Sequence, residues 1–497
     1  MPAAIQNIFV LMLENRSFDH LLGFSGMVGT DAETGGQTRV NGLSGTETNE
    51  YGGQQYTVAP NASDPMPVDP GHEFLDVLEQ LCGADAAFTP GAAYPPINGS
   101  GFVSDYAASH THDEGNAPND PGRILACFGN RDLPVLKALA SNFALCDGWH
   151  ASVPGPTVPN RMFALAASSA GLDHSPTSAE LLAWETVGGL EFPHGTVFDA
   201  LKRPNGWRIY SGGDFPLAAA LKGIQLGDAV PFSQFALDVA RQNYPWRFTW
   251  IEPDYGDFLS GSYRGGTSQH PLDGVTGGEG LIKAVYETIR QSPHWQQSLL
   301  IITWDEHGGF YDHVTPPQAL PPADDASAKY IQYGFNFDRY GVRVPAVIVS
   351  AYIPAHVIDH RLYDHSSIPA TIEATFGLPP LTDRDRAASS VLRLLTLADP
   401  RTDTPATLPT PSAVVSPMTA DVAAQTPQPD GSVDSGNLPG FLHIAMRNEI
   451  ELSPPSQTHA ILARVQAIQT RAQAAQYIGE VRAKLRAAKG LPQQPTA

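Results

Sequence analysis

Three cysteines in 497 residues, Cys82, Cys127 and Cys146, are too few and too scattered for a disulfide framework or a zinc cluster. Cys127 and Cys146 lie among apolar neighbours, where a free buried thiol is expected. No run of about 18 apolar residues occurs, so no bilayer-spanning helix is expected. No basic region, apolar core and small-residue cleavage site stand before the first apolar run. A cytoplasmic protein, or a mature or unusually exported form, is therefore expected. Positive charge is scarce: 30 Lys and Arg face 51 Asp and Glu, for a net charge of −21. Nucleic acid and anionic bilayers would be repelled over a Debye length or more, whereas a neutral or zwitterionic head group would not. What the chain does have is 42% hydrophobic residues, enough for a large core. Its 46 glycines and 44 prolines imply many ordered loops.

Residues 5–13 are almost wholly apolar, as in a strand buried on both faces of a parallel sheet, and they end abruptly in Glu14, Asn15, Arg16 and Ser17. Residues 299–304 repeat the pattern and run into Asp305, Glu306, His307, Gly308 and Gly309. Open α/β sheets place ligand sites at the C-terminal ends of such strands. A third segment, DGWHASVPGPTVPNR at 147–161, sets Thr157 between two prolines ahead of a helical run. Pro159 suits the first turn of that helix, which puts Thr157 at a helix N-terminus. Free N–H groups and the positive dipole end hold an anion there, so a phosphoryl group could be bound while the hydroxyl attacks it. Asn160 and Arg161 could add donors. The plainer alternative is that Thr157 is an N-cap. Carboxylates and an amide oxygen beside a hydroxyl make an oxygen-rich pocket suited to a divalent cation, which lowers the hydroxyl's pKa and polarises a phosphoryl oxygen.

The rest of the chain supports a parallel sheet. Helical pattern at 197–202 and 280–291 alternates with strand pattern at 207–210, 248–251, 299–304 and 344–350, and a helix follows at 367–376. Residues 23–70 read as an ordered excursion over the sheet edge, with a helix from His72 to about Leu81. The His110, His112, Asp113, Glu114 cluster fits no helical face and reads as solvated loop. Residues 1–398 form the expected catalytic domain, 399–436 a Pro- and Thr-rich linker or surface-hugging tail, and 437–497 a C-terminal extension. Apolar residues at three- and four-residue steps predict one long amphipathic helix over 457–488, packed on the main domain or, alternatively, at a dimer contact. Monomer and homodimer both remain open.

The strings LMLENRSFDHLLG, SVPGPTVPNR, HPLDG, TWDEHGGFYDHV and YDHSSIPATIEATFGLP resemble the bacterial phosphoesterase family. That family holds phospholipases C and one type of acid phosphatase, within the alkaline phosphatase superfamily. The strings occur in the family's order over roughly residues 5–385. The resemblance implies an α/β fold, a largely parallel sheet covered by helices on both faces. It implies one divalent metal ion, Ca²⁺, Mg²⁺, Mn²⁺ or Zn²⁺, held by Glu14, Asn15, Thr157, Asp305 and Glu306. Gly266 and Glu306 stand where two-zinc relatives have an Asp and a His. His270 and His72 match histidines near the phosphate, and His365 falls where the superfamily keeps its last metal-site histidine. With a single metal, His270 and His365 become proton donors or phosphate contacts. The expected function is metal-dependent hydrolysis of a small phosphoester or phospholipid head group through a phosphothreonine at Thr157. The alternative is a catalytically silent binding protein that keeps the fold. Lack of room for extra C-terminal β domains leans toward the compact, acid-phosphatase-like members. Trp149, Trp184, Trp207, Tyr210 and Tyr255 could form a cage for a choline-type cation.

Overall fold

The strand Asn7–Leu13 is buried at all seven positions and has a parallel neighbour on each side. Ser298–Trp304 pairs along its full length on one side and Phe248–Glu252 pairs on the other. In the computed structural model, which describes residues 5–109, 118–183, 188–324, 330–412, 431–434 and 436–492, these strands form the centre of a ten-stranded sheet. From edge to edge the order is Gln37–Arg39, Val28–Asp31, Val357–Asp359, Ala144–Cys146, Ala346–Val349, Ser298–Trp304, Asn7–Leu13, Phe248–Glu252, Trp207–Ser211 and Ala229–Pro231. Pro134–Asn142 and Val275–Gln291 pack against its strands. The fold is the expected α/β type, a large, mostly parallel sheet with helices around it.

Register fixes the site. Leu13 lies opposite Trp304 in a parallel ladder, so both strands leave the sheet at the same edge. Glu14 and Asp305 thus emerge side by side, and Asp305 N donates to Leu13 O at 3.2 Å.

Four details differ from the sequence expectations. Ala346–Val349 is a buried strand, but it runs antiparallel to both neighbours. The excursion after the first strand does not merely cross the sheet edge: Val28–Asp31 and Gln37–Arg39 extend it, and Thr48–Tyr51 with Gln54–Thr57 forms a separate hairpin. The C-terminal helix is broken into Thr458–Gln466 and Arg471–Ala488, where Thr470 and Gln473 cap the second piece reciprocally. A helix at Leu438–Leu452 precedes them. The described part of the Pro-rich segment lies along Val275–Gln291, with Tyr286 Oη donating to Pro405 O at 2.6 Å. The three cysteines are free, Cys127 and Cys146 buried. The histidine cluster at 110–114 and Trp184 lie outside the described residues. Among the described residues no helix is long and apolar enough to cross a membrane.

Candidate active site

Thr157 opens the helix Thr157–Ala166, with extended Pro156 as its N-cap, and every residue of that helix is buried. The loop before it is tied down by one side chain. Asn160 Oδ1 accepts from Val153 N at 3.1 Å, and Asn160 Nδ2 donates to Gly155 O at 2.9 Å and Pro156 O at 3.0 Å. Asn160 is therefore spent on the loop that carries Thr157 and is not the phosphate donor expected from sequence. Arg161 is likewise committed. Its Nε donates to Asp305 Oδ2 at 2.9 Å and one Nη to Leu13 O at 3.1 Å, which clamps the helix Thr157–Ala166 to the two strand ends.

Glu14, Asn15, Thr157, Asp305 and Glu306 are brought together, each fully buried. Asn15 N donates to Asp305 Oδ1 at 3.1 Å, and Asn15 Nδ2 donates to Thr157 Oγ1 at 3.4 Å and to Glu306 Oε1. Asn15 has φ 55, a left-handed conformation uncommon for a residue other than glycine and of the kind that collects at functional sites. Gly308 and Gly309 follow in the same region with φ 63 and 72; a Cβ on Gly308 would stand 2.3 Å from Asn15 O. The double glycine lets the strand-end loop close on Asn15.

Three carboxylates are buried here beside one guanidinium. Burial, reinforced by Asp305, pushes Glu14 up to about 8, and burial likewise pushes Glu306 up to about 8 against the pull of His72. Two oxygens, Glu14 Oε2 and Asn15 Oδ1, are buried without a hydrogen-bond partner. An oxygen-rich set with orphaned acceptors, whose crowded carboxyls are pushed toward their protonated forms when no further counter-charge is beside them, fits a hard divalent cation.

The histidines divide into two kinds. His72 Nδ1 donates to Pro70 O at 2.9 Å, which leaves Nε2 available, and its ring meets His270 edge-on at 6.3 Å. Burial lowers the His72 pKa, but Glu306, Asp69 and Glu73 outweigh it and carry the group up to about 10. His270 stacks on Tyr263 at 3.6 Å, accepts from Leu272 N on Nδ1 at 3.3 Å, and lies 3.6 Å from Asp69 through Nε2. Burial and the neighbouring His72 and Arg16 hold it well below the usual imidazole range. His365 is held between Trp149 and the Asp305 main chain. Its Nε2 donates to Asp305 O at 2.6 Å and its Nδ1 accepts from Trp149 Nε1 at 3.2 Å, so both nitrogens are engaged. Burial pushes it down to about 4. The proton-donor role expected of His365 gives way to support of the Asp305 main chain.

A second group went unread in the sequence. Asp19, Asp312 and His313 bring ligand atoms within 4.8 Å of one another and could hold a cation. Arg343 already donates to both carboxylates, to Asp19 at 3.0 Å and Asp312 at 2.9 Å. The repeated Asp-His pairs that begin five residues beyond Glu14 and seven beyond Asp305, Asp19-His20 and Asp312-His313, were the available signal. The proposed choline cage is not assembled: Trp149, Trp207, Tyr210 and Tyr255 are buried core rings.

Residues 5–379 match the model described as the Phosphoesterase family. Non-specific phospholipase C6 of Arabidopsis thaliana is 35% identical over 434 residues, 84% of this chain and 76% of that protein. Non-specific phospholipase C3 of the same plant is 34% identical, covering 82% and 76%. Phospholipase C B of Mycobacterium tuberculosis is 26% identical, covering 76% and 74%. Among solved structures, an alkaline phosphatase superfamily protein of Vibrio parahaemolyticus is similar at 13% identity and a TM-score of 0.32, over 52% of this chain and 65% of that one. A phosphonate monoester hydrolase of Agrobacterium radiobacter is similar at the same identity and TM-score, over 55% and 73%. The chain belongs to the Phosphoesterase family and is a hydrolase of phosphoric esters.

Proposed function

We propose that the protein is a metal-dependent phospholipase C-type hydrolase with Thr157 as its nucleophile. The observation that carries this reading is Asn15 Nδ2, which bridges Thr157 Oγ1 and Glu306 Oε1 at the sheet's C-terminal edge, with Thr157 at a helix N-terminus. Glu14, Asn15, Thr157, Asp305 and Glu306 would hold one divalent cation. When bound, that ion lowers the pKa of the Thr157 hydroxyl and polarises a phosphoryl oxygen.

The chain's own groups then divide the work. The first-turn N–H groups at Thr157 face the phosphoryl oxygens and stabilise developing negative charge. Thr157 Oγ gives its proton to solvent and attacks phosphorus, the bond from phosphorus to the alcohol oxygen breaks, and the alcohol leaves with a proton from His72 Nε2. Water then gives one proton to the now neutral His72 Nε2 and attacks the phosphothreonine, the bond to Oγ breaks, and Oγ takes a proton back from solvent as the phosphate ester of the head group departs. His270, held by Tyr263 and kept neutral, offers its ring to the phosphate side of the pocket without contributing charge. His365 acts at one remove, through Asp305.

The named relatives favour a phospholipid diester over the acid-phosphatase arm, since those that match at this coverage are phospholipases C. The net charge of −21 agrees with a zwitterionic or neutral head group. Metal analysis of the purified protein, beside assays of Thr157→Ala with p-nitrophenyl phosphate, p-nitrophenylphosphorylcholine and a bis-ester, tests the reading. Thr157→Ala should abolish hydrolysis of every ester at unchanged fold, and Thr157→Ser should keep part of it. Turnover of Thr157→Ala within about tenfold of the wild type rejects the nucleophile, because losing one costs far more.

A further inference from the structure

Asn437 reaches the strand-end acid Glu14 from 423 residues away, its Nδ2 donating to Glu14 Oε1 at 3.4 Å. It is only 5% exposed. The chain around it is seated on the catalytic machinery. Gly436 has φ 54 and passes so close to Tyr263 that a Cβ would lie 3.3 Å from the phenol oxygen. The Asn437 main chain hydrogen-bonds that phenol, and the same ring stacks on His270 at 3.6 Å. One turn into the helix Leu438–Leu452, Phe441 stacks on Phe258 at 4.0 Å and leans on Tyr255 at 5.2 Å. Tyr255 in turn lies under Arg161 at 5.5 Å, the guanidinium that holds Asp305. The helix start therefore rests on three rings, two of which touch His270 or Arg161 directly.

We propose that Asn437 is a positioning residue of the active site, so that the C-terminal extension completes the catalytic pocket rather than merely decorating the domain. By donating to Oε1, Asn437 joins the Ser268 side chain in fixing the Glu14 carboxylate and leaves Oε2, which is buried without a partner, as the atom presented to the cation. Carboxylate ligands are oriented by such outer hydrogen bonds, and loss of one typically costs about 10- to 100-fold in metal affinity or activity. The inference rests on the proposed metal site.

The test is direct titration of Mn²⁺ and, separately, Zn²⁺ into the full-length, metal-stripped protein. Wild type, Glu14→Gln, Asn437→Ala, Asn437→Leu and Asn437→Ser are compared, and each is checked by thermal melting. Asn437→Leu keeps the volume and removes the donor; Asn437→Ser keeps a donor. The expected result is binding by the wild type, loss in Glu14→Gln, roughly 10- to 100-fold weakening in Asn437→Ala and Asn437→Leu, and partial recovery in Asn437→Ser. Wild-type affinity in both Asn437→Ala and Asn437→Leu, with Glu14→Gln defective, overturns the inference while the metal site stands. Should Asn437→Ala fail to fold, Asn437→Leu decides alone. Binding of neither ion by the wild type overturns the metal site and the inference with it.

Discussion

The hydroxyl of Thr157 is met by a donor, the Asn15 amide, so in the proposed mechanism its activation would fall to a bound cation rather than to a neighbouring base. Protonation of the leaving alcohol is a separate task, and at the residue scale His72 and His365 are predicted to behave differently in it. His72→Asn should lower turnover roughly 100- to 10,000-fold with metal content unchanged. The loss should shrink for p-nitrophenol, a weak base, relative to an aliphatic alcohol. His365→Asn acts through Asp305, so its loss should be the same for both leaving groups. A leaving-group dependence in His365→Asn and none in His72→Asn would reverse the assignment. The acids make a second prediction. Glu14 and Glu306, at about 8 in the folded protein against an ordinary 4.5, hold protons that the unfolded chain has released. The stability they contribute is fully present below about 4.5 and is lost as pH rises through about 8. In EDTA the melting temperature should therefore fall between those pH values, and a divalent cation should restore it more at the alkaline end. A flat profile in EDTA would mean that these carboxyls are not held protonated.

At the scale of elements, two strand ends and one helix start make the site, and the loop Asp305 to Gly309 must close on Asn15. Gly308→Ala puts a Cβ into the Asn15 carbonyl at a positive φ, so it should weaken metal binding and turnover together. Equilibrium metal binding checks this, and wild-type affinity in that variant would show that the loop has room to yield. These elements were legible because burial and polarity change abruptly: an apolar strand ending in Glu14-Asn15, and another in Asp305-Glu306, cannot hide where the sheet stops. Strand direction was not legible. Ala346–Val349 is buried on both faces, and a pattern without alternation carries no sign of parallel or antiparallel pairing. The broken C-terminal helix kept its apolar spacing across the break, and only the Thr470 to Gln473 capping box marked it. The partners of His365 and Asn437 come from elements far away in sequence, Trp149 and Glu14. Local pattern has no access to them.

Among the described residues the larger of two hydrophobic clusters runs from the first strand to Leu485 in the last helix, and the extension's helix start packs on Tyr255, Phe258 and Tyr263. The large exposed apolar side chains, including Leu75, Leu237, Leu320 and Leu362, are scattered in sequence. With a net charge of −21, head-group charge is expected to govern which lipid surface the protein approaches. The central claim is that the ester is cleaved through Thr157. Its most direct test is to quench the full-length, metal-loaded protein with acid during turnover of p-nitrophenylphosphorylcholine and to map the trapped adduct by peptide mass spectrometry. The account predicts one phosphorylcholine group on the peptide carrying Thr157, released by chase with water before the quench. An adduct on another residue, or an unmodified Thr157 peptide during a resolved burst of p-nitrophenol, would contradict it.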